Sequence, residues 1–301
     1  MTGKPRKSHG IDQSCLYMVT TKRKLAECLG LTLPLLSALV ARGDALYREF
    51  QLKKPGKKPR QVEEPVAELK KIQGRIAGYL SRIQPPDYLY CPVKGRSYLT
   101  NAAAHRHNRV VKTWDVRKYF PNTPARRVRW FFTEVMKCSP DVADLLVKLA
   151  TYKGHLPTGS PLSPVMAHYA FYDIWQEIAR LCREAGCVNT VYVDDLTVSG
   201  NVVPGELKWK VRQVIYSTGL RYHKEKSFID KPAEVTGVVL REGQLLMPNR
   251  QHRKRWLANK ELRVEKNEKT RAKLKKRIKG LNAQAAQFRK VNNGLSESGD
   301  N

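Results

Sequence analysis

The chain has no CxxC pair. Cys15, Cys28, Cys91, Cys138, Cys182 and Cys187 are scattered, without a neighbouring His/Cys set, so neither a disulfide framework nor a thiolate metal site is expected. They read as reduced core or surface thiols of a cytoplasmic protein. Long hydrophobic runs are also missing. The most apolar stretch, LGLTLPLLSALVA from Leu29 to Ala41, contains a proline and is too short to cross a bilayer. No secretory signal is expected at the start, and neither end carries an amphipathic helix with bulky apolar anchors, so a membrane partner is not expected. Acidic residues are few: 27 Asp and Glu face 56 Lys and Arg in 301 residues, a formal net charge of +29. Self-repulsion of that size destabilises a compact fold unless a polyanion offsets it, and nucleic acid is the expected partner.

The length suffices for a large core shared by two or three subdomains. The first ten residues, MTGKPRKSHG, are basic and poor in apolar groups, which predicts a flexible arm. Residues from about 16 to 50 read as helical. KKPGKKPRQVEEP then supplies a Pro/Gly turn inside a strand pair, with positive charge dense at its tip. Val66, Leu69, Ile72, Ile76, Leu80 and Ile83 recur at three- and four-residue spacing, which predicts an amphipathic helix. RVVKTWDV reads as a buried strand ending near Asp115, and segments near 125–150 and 164–185 read as helices. Strands and helices mix without regular βαβ alternation, so the fold class expected is α+β.

Scarce as they are, two aspartates stand side by side in TVYVDDLTVSG. Val191–Val193 and Leu196–Val198 read as paired strands with Asp194 and Asp195 at the hairpin tip. Aspartate is a good turn residue, yet a tight turn favours Gly or Asn, and neither is present. Adjacent carboxylates repel unless a cation lies between them, so an ordinary turn and a metal site both remain open. A third carboxylate, Asp115 in TWDVRKYFPNT, ends an apolar strand. Should the hairpin pair beside that strand, three acids converge, and hard oxygen donors favour Mg²⁺. Farther on, the segment from Arg250 to Lys290 carries 16 Lys or Arg against 3 Glu, a net +13. Leu274, Ile278, Leu281, Ala285 and Phe288 form one apolar stripe within it, so the stripe is expected to pack inward and the lysines to face a nucleic acid.

These residues resemble a known family, the reverse transcriptases, and within it the retron type. YVDD is similar to the YxDD box, DVRKYF to the upstream aspartate box, and LPTGSPLSP to the LPQGxPxSP loop. RQVEEPVAELKKIQ resembles the fingers segment and GLRYHKEKS the later lysine motif. Two further marks, NAAAH (Asn101 to His105) and VTG (Val235 to Gly237), resemble the retron NAxxH and VTG boxes. The resemblance covers about residues 45 to 247. It implies a right-hand polymerase: a basic flexible arm over 1–15, N-terminal helices and fingers over 16–110, a palm of antiparallel sheet and helices over 111–247 with an interleaved fingers segment at about 124–165, and a small basic helical thumb and tail over 248–301.

Roles follow from the resemblance residue by residue. Asp115 and Asp194 would bridge two Mg²⁺ ions, with Asp195 completing the set. Arg60, Phe120, Thr158 and Gly159 would bind the incoming deoxynucleoside triphosphate, Phe120 excluding a 2′-hydroxyl, with Tyr119 as the alternative gate. Lys226, or Lys224 in its place, would protonate the leaving pyrophosphate. Lys273, Lys275, Lys276, Arg277 and Lys279 would contact RNA, and Asn101 and His105 would support bound RNA or the local fold. The implied activity is copying a cognate structured noncoding RNA into branched, RNA-linked single-stranded DNA. The same family implies anti-phage defence, a toxic effector protein as partner, and host RNase H for template removal. An intron-type or diversity-generating reverse transcriptase and a noncatalytic RNA-binding protein are the alternatives. One departure matters: Thr158 replaces the usual Gln of the loop and is too short to span the same distance.

Overall fold

A computed structural model of the chain describes residues 8–53, 55, 56 and 58–296. The first seven residues of the expected arm, Lys54 and Lys57 of the basic tip, and residues 297–301 lie outside that description. In chain order the elements are α1 (Lys22–Leu29), α2 (Leu33–Ala41), β1 (Tyr47–Leu52), β2 (Arg60–Pro65), α3 (Ala67–Leu80), β3 (Leu89–Cys91), α4 (Tyr98–Ala103), β4 (Val110–Val116), α5 (Ala125–Trp130), α6 (Pro140–Ala150), α7 (Ser163–Ala170) and α8 (Tyr172–Glu184). They continue as β5 (Val188–Tyr192), β6 (Asp195–Gly200), α9 (Gly205–Ser217), β7 (Tyr222–Ile229), β8 (Ala233–Val235), β9 (Val238–Arg241), β10 (Gln244–Leu246), α10 (Asn249–Val264) and α11 (Glu268–Ser296). Helices and sheets are both extensive, as α+β requires. Among the described residues no single helix is long and apolar enough to cross a membrane.

Two expectations change. The helical reading of 16–50 holds for α1 and α2 but fails from Tyr47, because Tyr47–Leu52 pairs antiparallel with Arg60–Pro65 across the basic turn. The expected arm is also shorter than 15 residues: the His9 N–H donates to the Arg82 carbonyl at 3.0 Å and the Gln84 N–H to the His9 carbonyl at 2.8 Å. These bonds tie residue 9 to the end of α3.

Five strands form the central sheet in the order β3-β5-β6-β4-β7, with β3 parallel to β5 and the other pairs antiparallel. Alternation along β4 decides what each face carries. Trp114 and Val116 are buried in the main core with Leu196, Val198 and Val191 of the neighbouring strands. Val111, Thr113 and Asp115 therefore face the other way. On that second face lies a smaller core, in which Val111 packs with Leu99 and Ala102 of α4, Val235, Val238, Leu240 and Leu245 of the β8–β10 sheet, and Phe288 of α11.

The basic tail is an antiparallel helix pair fastened at both ends to this smaller unit. Arg250, at the start of α10, pairs with Glu234 of β8 at 2.6 Å. Near the end of α11, the Asn292 side chain accepts from the Leu245 N–H at 3.1 Å and donates to the Leu245 carbonyl at 3.0 Å. Leu274 and Phe288 are buried, while Lys273, Lys275, Lys276, Arg277 and Lys279 are exposed.

One buried group works against the fold. His168 of α7 is enclosed by the rings of Tyr88, Tyr169 and Tyr172, and neither ring nitrogen has a hydrogen-bond partner. Burial pushes its pKa down to about 3 from 6.5. The unfolded chain takes up this proton below about 6.5 and the fold does not, so stability is lost as pH falls from 6.5 toward 3. Replacing His168 by Phe removes two unpartnered polar atoms and this proton uptake. The variant is expected to melt at a higher temperature than wild type, with a larger gain at pH 5 than at pH 8, as read from thermal denaturation by circular dichroism.

Candidate active site

The register of three strands assembles the site. Asp115 of β4 stands directly opposite Asp195 of β6 on one side and Lys224 of β7 on the other. Lys226 stands opposite Thr113, one pleat along the same face. Asp115, Asp195, Lys224 and Lys226 line a pocket of ≈ 370 Å³ that is completed by Tyr192, Thr236, Gly237 and Arg250. Asp194 precedes β6, and its carbonyl accepts the Val116 N–H at 2.9 Å, which locks the hairpin tip to the end of β4.

The tip differs from the expected turn. Val193 leaves the strand and, with Asp194, makes the turn, while Asp195 is already the first residue of β6. Val193 has φ +58°. That region suits glycine, and a β-branched residue held there carries strain of about 1–3 kcal/mol. The strain places two carboxylates in succession at a strand end, where a Gly-based turn would have done so without cost.

Electrostatics reflect the crowding. Asp195 is pushed up to about 7 from 3.8, first by burial, then by the charges of Asp194 and Asp115, with Lys226 and Lys224 pulling the other way. A carboxyl that resists ionisation between two others suits a divalent cation, which would relieve both the burial and the repulsion. The fit is to a pair more than to a triad: among the described residues no three His, Cys, Asp or Glu side chains converge closely enough to enclose a metal. Asp115 and Asp195 share the pocket; Asp194 does not line it, and it acts on Asp195 through its charge.

The predicted nucleotide-binding residues fall into two groups. Phe120 follows Asp115 in the turn after β4 and is half-buried, whereas Tyr119 is buried, donates its hydroxyl proton to the Ala167 carbonyl at 2.9 Å and accepts from Trp175 Nε1 at 3.1 Å. Tyr119 is thus a core residue. Arg60 is exposed at the start of β2. Thr158 is zipped to the same strand: its hydroxyl donates to the Gln61 carbonyl and accepts from the Glu63 N–H, each at 3.2 Å, and its N–H donates to Glu63 Oε2 at 3.1 Å. Gly159 donates to the Glu63 carbonyl at 3.0 Å, and a Cβ there would lie 2.7 Å from that oxygen. A short Thr therefore suits this loop, which lies against strand backbone.

Of the two readings of Asn101 and His105, contact with RNA is corrected by their burial, since both are 0% exposed. His105 hydrogen-bonds Ser199 of β6 through Nδ1 at 2.6 Å and Thr190 of β5 through Nε2 at 2.8 Å, clamping the two strands of the aspartate hairpin together. Burial pushes its pKa down to about 3, so it stays neutral there. Asn101 donates to the Thr236 hydroxyl at 3.3 Å, and that hydroxyl donates to the Tyr98 carbonyl at 3.2 Å. Thr236 and Gly237, at φ +45° and +83°, form the two-residue turn between β8 and β9. The NAAAH and VTG boxes thus meet, and together they position walls of the carboxylate pocket. The sequence offered one signal for this: small polar residues at the inward positions of β5 and β6, where a clamp could bond.

No family model matches the chain. Its likeness is to individual proteins. It is 27% identical over 249 residues to the Retron Se72 reverse transcriptase of Salmonella heidelberg (78% of this chain, 66% of the relative). It is 26% identical over 233 residues to the Retron Ec86 reverse transcriptase of Escherichia coli (75% and 72%), and 27% over 251 residues to the Retron Mx65 reverse transcriptase of Myxococcus xanthus (76% and 59%). The resemblance read from the short boxes therefore extends over about three quarters of the chain, and it is to retron-type reverse transcriptases.

The Asp195 environment makes a testable statement. In the unfolded chain this carboxyl ionises near 3.8 and in the fold near 7, so the stability tied to its protonated form is lost as pH rises from about 4 to 7. Asp195→Asn should raise the melting temperature of metal-free protein at pH 7.5 and leave it nearly unchanged at pH 4. Added Mg²⁺ should raise the melting temperature of wild type at pH 7.5 by more than that of the variant. Equal pH profiles for the two proteins would show that the three carboxylates do not interact as described.

Proposed function

We propose that this chain is an RNA-directed DNA polymerase with fingers, palm and thumb, copying a dedicated structured RNA into single-stranded DNA that remains joined to the RNA. The observation that carries the reading is the cross-strand pair of Asp115 and Asp195 with Lys224 and Lys226 on the same face. In a chain of net charge +29, a mere binder of phosphates would have no use for half-buried carboxylates there. Asp115 and Asp195, with the adjoining Asp194, would hold Mg²⁺. When bound, the ion would supply positive charge to an attacking hydroxyl and to a departing pyrophosphate.

The remaining steps fall to side chains of this protein. Lys226 or Lys224 would deliver a proton to the leaving group, both being placed by register on the carboxylate face. Phe120 would close the space beside the nucleotide sugar, and Arg60 would present its fork to the triphosphate from β2, on which Thr158 and Gly159 fasten the neighbouring loop. The exposed cations of α11 would follow the phosphates of the folded RNA, which is read by shape more readily than by sequence. An anti-phage role with an effector protein, host RNase H acting on the template, and a cytoplasmic site of action belong to the same reading.

Asp115→Asn and Asp194→Asn should each abolish Mg²⁺-dependent primer extension on an RNA template while RNA affinity stays within about twofold, since phosphate binding rests on Lys and Arg, which neither change removes. Near wild-type synthesis in either variant would sink the carboxylate assignment. Replacing Phe120 by Ala should raise incorporation of ribonucleotides relative to deoxynucleotides in single-nucleotide extension assays. An unchanged ratio would remove Phe120 as the gate, and the burial of Tyr119 would then direct the search to another residue.

A further inference from the structure

Farther along the carboxylate-bearing face of the sheet is a second, larger groove of ≈ 550 Å³. Val111 of β4 forms part of its floor, four residues before Asp115, which at strand rise is about 13 Å away. Strand β8 separates the two pockets: Ala233 lines the groove, and Glu234 lines the carboxylate pocket. The groove's volume lies within the range of sites that take a nucleotide-sized group.

Its charges are unevenly matched. Arg109 gives both arms of its guanidinium to Asp230, each at 2.8 Å, and Arg241 pairs with Glu242 at 3.0 Å. Arg106 and Lys231, which also line the groove, have no acidic partner among the described residues. Arg106 Nε donates to His107 Nε2 at 2.6 Å, and Nη1 of the same guanidinium is shielded from solvent with no acceptor. A shielded guanidinium N–H without an acceptor is costly. That nitrogen is sealed off, but the guanidinium as a whole lies in the groove wall, and an anion entering the groove would balance the two unpaired cations. Gly243, at φ +74°, keeps the opposite wall open, since a Cβ there would lie 3.3 Å from the His107 ring.

We propose that this groove holds a backbone phosphate of the nucleic-acid strand that runs past the carboxylates, about four base steps from them at 3.4 Å per step. The inference rests on the polymerase reading for the strand's direction, but the phosphate site itself does not require catalysis. Arg106 supplies a charge-assisted hydrogen bond and Lys231 a second positive charge at the rim. The strand is RNA or DNA, and both present the same phosphodiester.

Binding is measured in EDTA, without nucleotides, by fluorescence anisotropy across a salt series. The probes are a labelled single-stranded oligoribonucleotide and the oligodeoxyribonucleotide of the same sequence. The double variant Arg106→Gln, Lys231→Gln should bind about tenfold more weakly at moderate salt, the equivalent of one charge-assisted hydrogen bond. The slope of log affinity against log salt should fall by about 0.7 for each lost phosphate contact. Lys231→Gln alone, at an exposed position, should show a smaller loss in the same direction, and it decides the matter if the double variant does not melt cooperatively. A loss confined to one probe identifies that strand as the occupant, and a loss with both makes the site common to the two. Unchanged affinity and slope with both probes overturns the proposal. Primer extension by wild type is run in parallel: should extension fail while the salt slopes differ, the groove stands and the polymerase reading falls.

Discussion

The candidate site depends on one alternation. Burial of Trp114 and Val116 against the main core fixes the facing of β4, and every functional position on that strand follows from it. A one-residue slip of register would bury Asp115 and expose Trp114, so the hydrophobic contribution of a single large aromatic, about 2–3 kcal/mol, defends the position of the carboxylate. β6 and β7 inherit the same facing through their ladders with β4, which is how acids and lysines from three separate segments reach one pocket.

Around that sheet the protein sets its charges apart by burial. His105 beneath the hairpin is neutral, so it clamps β5 to β6 without cancelling the negative charge above it. Asp195 bears the mutual repulsion of the three carboxylates. Compensation is left to the two lysines of β7 and to whatever cation enters. Much of the chain's positive charge lies elsewhere, including α10 and α11 and the second groove.

Much of this was legible in the sequence. The strand ending at Asp115, the amphipathic α3 and the apolar stripe of α11 each rest on local periodicity, which sequence records directly. The aspartate tip was legible as an anomaly, two like charges in a turn without Gly or Asn, and its cause appears only in the backbone, where Val193 takes the conformation a glycine would have taken. Asn101 and His105 stayed open between RNA contact and the local fold, because one polar residue looks the same in a sequence whether it meets solvent or Ser199, Thr190 and Thr236. Thr158 looked like a defect when measured against a longer residue. The close approach of Gly159 to β2 shows that little room exists there to fill. Long-range pairing decided all three, and it leaves no local trace.

The tail is held at both ends, by Arg250 to Glu234 and by Asn292 to Leu245, and its midpoint is braced where Arg271 donates to the carbonyls of Leu262 and Glu265. Both anchors sit at the base of the helix pair, on the small sheet, and the brace at Arg271 joins α10 to α11 near the far turn, so the pair is one stiff arm rooted at its base. It moves as a unit about that root, and because Arg250 at the root also lines the carboxylate pocket, any tilt of the arm is felt at the pocket wall.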